Sequence, residues 1–165
     1  MIKYSDEWMG LSDVTRTTII SFQNVIPVRI GDMAKSFGIE VKISTLDVGI
    51  SGMIFPVGNG YKILVNKHEP SYRRRFTLAH EMSHFLLHRN LIGAGITDNV
   101  LYRSGLSDKI EAEANRLASD ILMPIERVKE AKSSLGMSRL ADTVSPLAQQ
   151  FGVSEDAMRI RLGMK

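Results

Sequence analysis

Residues 76–84 read Phe76-Thr77-Leu78-Ala79-His80-Glu81-Met82-Ser83-His84. Apolar residues around this stretch recur at spacings of three and four, which predicts a helix from Pro70 to about His88, with the proline suited to its first turn. On a helix, positions i and i+4 lie one turn apart on the same face. His80 and His84 can therefore present both imidazoles to one ion at about 2.0–2.1 Å. Glu81, beside the first histidine, stands where a carboxylate can take a proton from metal-bound water.

Two imidazoles do not complete a site. His88 continues the row at i+8 from His80, but that is about 12 Å along the axis, too far for the three to close on one ion. It reads as a surface or capped histidine near the helix end, with a lid or substrate contact as its functional alternative. His68, in the polar turn before the helix, reads as solvated. The next long helical pattern, Asp108 to Leu122, offers a better third ligand. Advancing 100° per residue places Glu111, Ala114, Asn115, Leu117, Ala118, Ile121 and Leu122 in one arc, so Glu111 points inward among apolar neighbours. Burying a lone carboxylate is costly, and coordination to a metal removes that cost. Asn115, one turn on, is placed to hydrogen-bond a ligating imidazole. Glu113 falls on the opposite flank with Arg116 and Asp120 and reads as a solvated acid paired with Arg116 at i+3.

Composition agrees with this ligand set. The 165 residues contain no cysteine, which removes disulfides, thiolate catalysis, iron–sulfur clusters and cysteine zinc modules, so a zinc site must use histidine or carboxylate. Three of the four histidines fall between positions 80 and 88. No apolar run reaches the roughly 18–20 residues of a membrane span, and Met1 to Gly10 lacks the layout of a signal peptide. A soluble, cytoplasmic protein with no membrane contact is expected. The net charge of +3 is too small to announce nucleic acid, and Arg73-Arg74-Arg75 reads as a solvated first helical turn.

Outward from the two helices, Asp13–Val25 and Val28–Phe37 read as two N-terminal helices, the second stopped at Gly38. Ile39–Ile43, Gly52–Val57 and Tyr61–Val65 are short β-branched runs, the last two flanking Gly58-Asn59-Gly60 as a hairpin. A small three-stranded sheet follows from them, and Leu91–Gly105 reads as a glycine-bearing loop. After Pro124, which should open another helix, the chain reads as short helices broken at Pro146 and Gly152. The expected class is α+β, with residues 1–124 as the domain carrying the histidines and 125–165 as a helical extension packed on it.

The pattern His80-Glu81-Met82-Ser83-His84 is the zincin signature, and Glu111 to Asn115 looks like the E-x-x-A-N/D element of Glu-zincins. Together with Arg116-Leu117-Ala118 and Leu122-Met123-Pro124, the chain resembles the ImmA/IrrE metallopeptidase family over roughly residues 26–124, and more loosely in the tail. The resemblance implies a zincin-like core, with zinc bound by His80, His84 and Glu111 and Glu81 as general base. Ser83, where glycine is usual, and Leu117, where phenylalanine is usual, depart from the family without touching the ligands. Family members characteristically cleave helix-turn-helix repressors, often encoded beside them in mobile elements or prophages, so the resemblance implies a specific regulator protein as substrate.

Three protein ligands leave a fourth position for water. A donor to the developing oxyanion would help, and Tyr102 is the first choice for it, His88 the second. The Ser51-Gly52-Met53-Ile54-Phe55 strand is expected to offer a free edge to which an extended substrate adds. A His, His, carboxylate set also serves Mn²⁺ or Fe²⁺, but the helix motif makes Zn²⁺ the leading ion. The tail from Leu147 to Leu162 looks like a helix-turn-helix, with Gly152 in the turn and Ser154 as N-cap. Its second helix opens on Glu155 and Asp156, which oppose phosphate. Residues 126–165 carry seven Lys or Arg against five Asp or Glu. Packing or substrate docking is expected of it before DNA contact. The rival to a peptidase is a non-proteolytic toxin or regulator paired with a helix-turn-helix partner, with structural zinc and partner or DNA binding through the tail.

Overall fold

The computed structural model describes residues 2–93, 95–99 and 107–165. Helices α1 (Asp6–Met9), α2 (Asp13–Phe22) and α3 (Ile30–Ser36) precede strands β1 (Ile39–Ser44), β2 (Ile50–Val57) and β3 (Gly60–Asn66). Helix α4 (Ser71–Leu87), a single turn α5 (Arg89–Ile92) and strand β4 (Ile96–Asn99) lead to α6 (Asp108–Leu122). The tail is α7 (Ile125–Leu135), α8 (Leu140–Phe151) and α9 (Glu155–Arg161). The α+β architecture is as expected, with more elements than the sequence announces. Helix α1 is a single turn whose N-cap Ser5 accepts a hydrogen bond from Trp8 N–H, and the Trp8 side chain is buried in the core. None of the helices is long and apolar enough to cross a membrane among the described residues.

Among the described residues the sheet has four strands in the order β1-β3-β2-β4, one more than expected. β1 runs parallel to β3, β2 and β3 form the antiparallel hairpin, and β4 adds antiparallel to β2. Gly58, at φ +57°, supplies the positive dihedral that the two-residue turn needs. Residues 96–99 lie in the stretch expected to be loop. Their sequence does not alternate; the strand exists because β2 offers its edge and because Ile96 is buried. The segment Ser51 to Phe55 is no free edge, since β2 is paired on both sides, to β3 through Gly52–Phe55 and to β4 through Ile50–Ile54.

One hydrophobic cluster joins Ile54, Ile63 and Val65 of the sheet to Leu78, Ala79, Met82 and Phe85 of α4 and to Leu117, Ala118, Ile121 and Leu122 of α6. The same cluster takes in Val144, Leu147, Phe151 and Met158 of the tail. Gly52 lies where β2 meets α4, and there is no room for a side chain: a Cβ would stand 2.5 Å from Thr77 Cγ2 and 2.8 Å from the Leu64 carbonyl oxygen. Asn66, buried at the end of β3, fixes the entry to α4. Its amide donates to the Leu46 and Ile50 carbonyls, and its oxygen accepts from His68 N–H.

Pro146 sits inside α8 instead of breaking it. The proline removes a donor to the carbonyl of Asp142, which lies in the exposed first turn, where water can replace it. Gly152 does end the helix, in the left-handed region at φ 65°, and Ser154 caps α9 by accepting from Ala157 N–H. Asp120, expected on a solvated flank, is buried. Its carboxylate accepts from Ser5 N–H and Ser5 Oγ and, at 2.8 Å, from Arg161 Nη1. The N-terminal segment and α9 close over that side of α6, a covering that no helical wheel of α6 alone contains.

Candidate metal centre

Helix α4 supplies His80, Glu81 and His84, all buried, and α6 supplies Glu111. The helical phase of each sequence sets this meeting. Leu78, Ala79, Met82 and Phe85 bury α4, while Leu117, Ile121 and Leu122 bury α6, and the polar residues between these apolar positions face one another. His80 Nε2 and His84 Nε2 are 3.1 Å apart, Glu111 Oε2 is 3.1 Å from the first and Glu111 Oε1 3.2 Å from the second. Four tetrahedral ligands at about 2.0–2.1 Å from zinc would have neighbours spaced about 3.3 Å apart. The nitrogens and carboxylate oxygens present are therefore of the kind and spacing that suit such an ion, and the three residues form a group that could hold a metal.

The electrostatics agree. Burial on its own would raise the Glu111 carboxyl, but hydrogen bonds and charge from His80 and His84 overcome it and hold the group well below the usual carboxylate range. Glu111 thus stands ionised, as a ligand must. His80 Nδ1 lies 2.7 Å from Asn115 Oδ1. With Nε2 turned to the metal position, Nδ1–H donates and the amide oxygen accepts, which fixes the ring and its tautomer.

His88 departs from the sequence reading. It caps α4, yet its ring is buried, with Nδ1 3.0 Å from His84 Nδ1 and Nε2 3.8 Å from Glu113 Oε1. It touches the nitrogen of His84 that faces away from the ligand cluster, so it is not presented to substrate as an oxyanion donor. Burial, then charge from His84, lowers its pKa, against the raising effect of Glu113 and Glu111. Glu113 is correspondingly not the partner of Arg116. That guanidinium makes a bidentate pair with Glu7 at 2.6 and 3.0 Å, bringing α1 onto α6. The i+4 step from His84 to His88 was the available signal for this contact. Tyr102 lies outside the described residues. His68 is exposed, as expected.

Beside the ligands opens a cleft of about 360 Å³. His80, Glu111 and Asn115 line one side of it, Phe76 of α4 with Ala157 and Ile160 of α9 supply apolar wall, and Arg73 and Arg116 are also at its surface. Ile160 is strongly exposed for an apolar residue. Helix α9 therefore meets the cleft through Ala157 and Ile160, while its acidic first turn, Glu155 and Asp156, pairs with Arg159.

Comparison with known proteins fits this geometry. The profile of the peptidase M78 family, described as IrrE N-terminal-like domain, matches residues 34–163. No curated protein matches the chain. Among solved structures, a Mycobacterium tuberculosis transcriptional regulator is similar with a TM-score of 0.60 and 17% identity, over 96% of this chain and 49% of that one. The chain thus spans about half the length of that protein, and the likeness is one of fold.

Proposed function

Because the chain belongs to the peptidase M78 family of IrrE N-terminal-like domains, we propose that it is a zinc-dependent endopeptidase acting on a specific regulator protein of the helix-turn-helix class. The observation that carries the reading is the convergence of His80 Nε2 and His84 Nε2 of α4, 3.1 Å apart, with Glu111 of α6, whose Oε2 is 3.1 Å from the first and whose Oε1 is 3.2 Å from the second; α4 also holds a buried Glu81. Zn²⁺ held by His80, His84 and Glu111 would supply a Lewis acid that brings the pKa of a bound water toward about 7 and polarises a substrate carbonyl. Glu81 is the general base: its carboxylate takes the proton of the attacking water and passes it to the leaving amine. Asn115 keeps His80 in the ligating tautomer through the 2.7 Å hydrogen bond.

The cleft provides for an extended peptide. Phe76, Ala157 and Ile160 offer an apolar wall to a substrate side chain next to the scissile bond. The tail is then a substrate-docking element, and direct DNA contact is not part of its role, since the first turn of α9 is acidic. With β2 enclosed, an extended substrate would add at the outer edge of β4.

The test is cleavage of a helix-turn-helix regulator by the purified protein, by Glu81→Gln with its zinc content measured, and by protein treated with chelator and then resupplied with zinc. A non-proteolytic regulator or toxin is the second reading, favoured by the fold shared with a protein called a transcriptional regulator. It predicts partner or DNA binding that is indifferent to Glu81 and, for DNA, falls steeply with salt.

A further inference from the structure

His88 is 5% exposed and takes no part in the chemistry above. Its contacts nevertheless fix where its proton must be. His84 turns Nε2 toward Glu111 and His80, so a metal bound there uses the Nε2 lone pair and leaves the proton on Nδ1. Among the described residues the acceptor facing that proton is His88 Nδ1 at 3.0 Å, and His84 is fully buried, so solvent does not replace it. His88 must then carry its own proton on Nε2, the nitrogen that looks toward Glu113 Oε1 at 3.8 Å. This distance exceeds a hydrogen bond, yet a carboxylate there still favours N–H over a lone pair through charge–dipole attraction. The backbone adds to the restraint, since His88 N–H donates to the His84 carbonyl at 2.7 Å. The same device serves the other imidazole, where Asn115 Oδ1 accepts from His80 Nδ1–H.

We propose that His88, biased by Glu113 toward its Nε2–H tautomer, is a positioning residue that orients the metal ligand His84, as Asn115 does for His80. The proposal rests on the reading that His80, His84 and Glu111 bind the metal, and is independent of what the protein cleaves. Two substitutions separate orientation from packing. Asparagine places Oδ1 close to the position of the imidazole Nδ1 and keeps the acceptor, whereas phenylalanine keeps the ring and loses it. The measurements are zinc affinity of the full chain by competition with a chromophoric chelator, the visible spectrum of the Co²⁺-substituted protein, and urea unfolding of the metal-free protein.

His88→Phe should bind zinc about 10–100-fold more weakly and change the Co²⁺ bands, while His88→Asn stays within about threefold of the parent with its spectrum retained. A packing role gives the reverse order, because phenylalanine fills an apolar space better than asparagine. Glu113→Gln, on the half-buried face of α6, should weaken zinc binding about threefold without altering unfolding of the metal-free protein. Equal affinity in the parent, His88→Asn and His88→Phe, or the reverse order, overturns the proposal and leaves the metal reading standing. An unchanged Glu113→Gln overturns the part assigned to Glu113. A parent chain that binds neither zinc nor Co²⁺ overturns the metal reading and this proposal with it.

Discussion

Replacing Gly52 by alanine is a direct test of how the sheet positions the helix that carries the histidines. The new Cβ would meet Thr77 Cγ2 at 2.5 Å and the Leu64 carbonyl oxygen at 2.8 Å, against 3.4 Å where ordinary contact begins. The methyl is thus about 0.9 Å and about 0.6 Å too close to two neighbours, the buried Thr77 side chain and the backbone of the paired strand β3, which cannot swing aside. Alanine's better fit to a strand is worth about 0.5–1 kcal/mol and does not offset this. Overpacking a core of this kind costs about 1–3 kcal/mol, and the upper half of that range is expected here because both contacts fall below 3.0 Å. Thr77 is one turn before His80 and Glu81, so relief by moving α4 also displaces the ligands and lowers zinc affinity. Equilibrium urea unfolding of the metal-free protein measures the first effect and chelator competition the second. Thr77→Ser deletes Cγ2, so the cost of the alanine should fall by about 1 kcal/mol in that background while the carbonyl contact keeps it above zero. A Gly52→Ala protein within 0.5 kcal/mol of the parent, or an equal cost in both backgrounds, would refute the packing argument.

Asp120→Ala leaves the Arg161 guanidinium buried with its 2.8 Å partner gone, and should cost about 3–5 kcal/mol in urea unfolding. The double replacement Asp120→Leu with Arg161→Met should recover most of that loss; a single replacement costing under 1 kcal/mol would show the pair to be incidental. Glu7→Gln should cost about 0.5–1 kcal/mol at pH 7, since the paired Arg116 is half-exposed. The hydrogen bond from Arg116, against burial, holds the Glu7 carboxyl below its ordinary value. Its contribution is therefore present above about pH 5 and is lost as pH falls through the folded-state value. The stability gap between parent and Glu7→Gln, measured on the metal-free protein, should narrow below about pH 4; a gap that widens there would contradict the assignment.

The elements that local periodicity controls were legible in the sequence. His80 and His84 needed only the four-residue step, and Glu111 and Asn115 only the phase of the apolar residues on α6. What escaped depends on contacts distant in sequence. Asp120 looks solvated on the α6 wheel, and it is Ser5 and Arg161, far from it in the chain, that bury it. Ile96-Thr97-Asp98-Asn99 has no alternation, and its strand character comes from β2 across the sheet. Measured from His80, His88 lies too far along the helix to join the same ion. The nearer relation, one turn from His84, is the one the structure uses.

Glu81→Gln tests the central claim most directly. The amide keeps the size of the carboxylate and lies outside the ligand set, so zinc should remain at the parent stoichiometry, near one per chain, while cleavage of a helix-turn-helix regulator falls by about 10²–10⁴-fold with loss of the base. Undiminished cleavage by Glu81→Gln at parent zinc content would contradict the account.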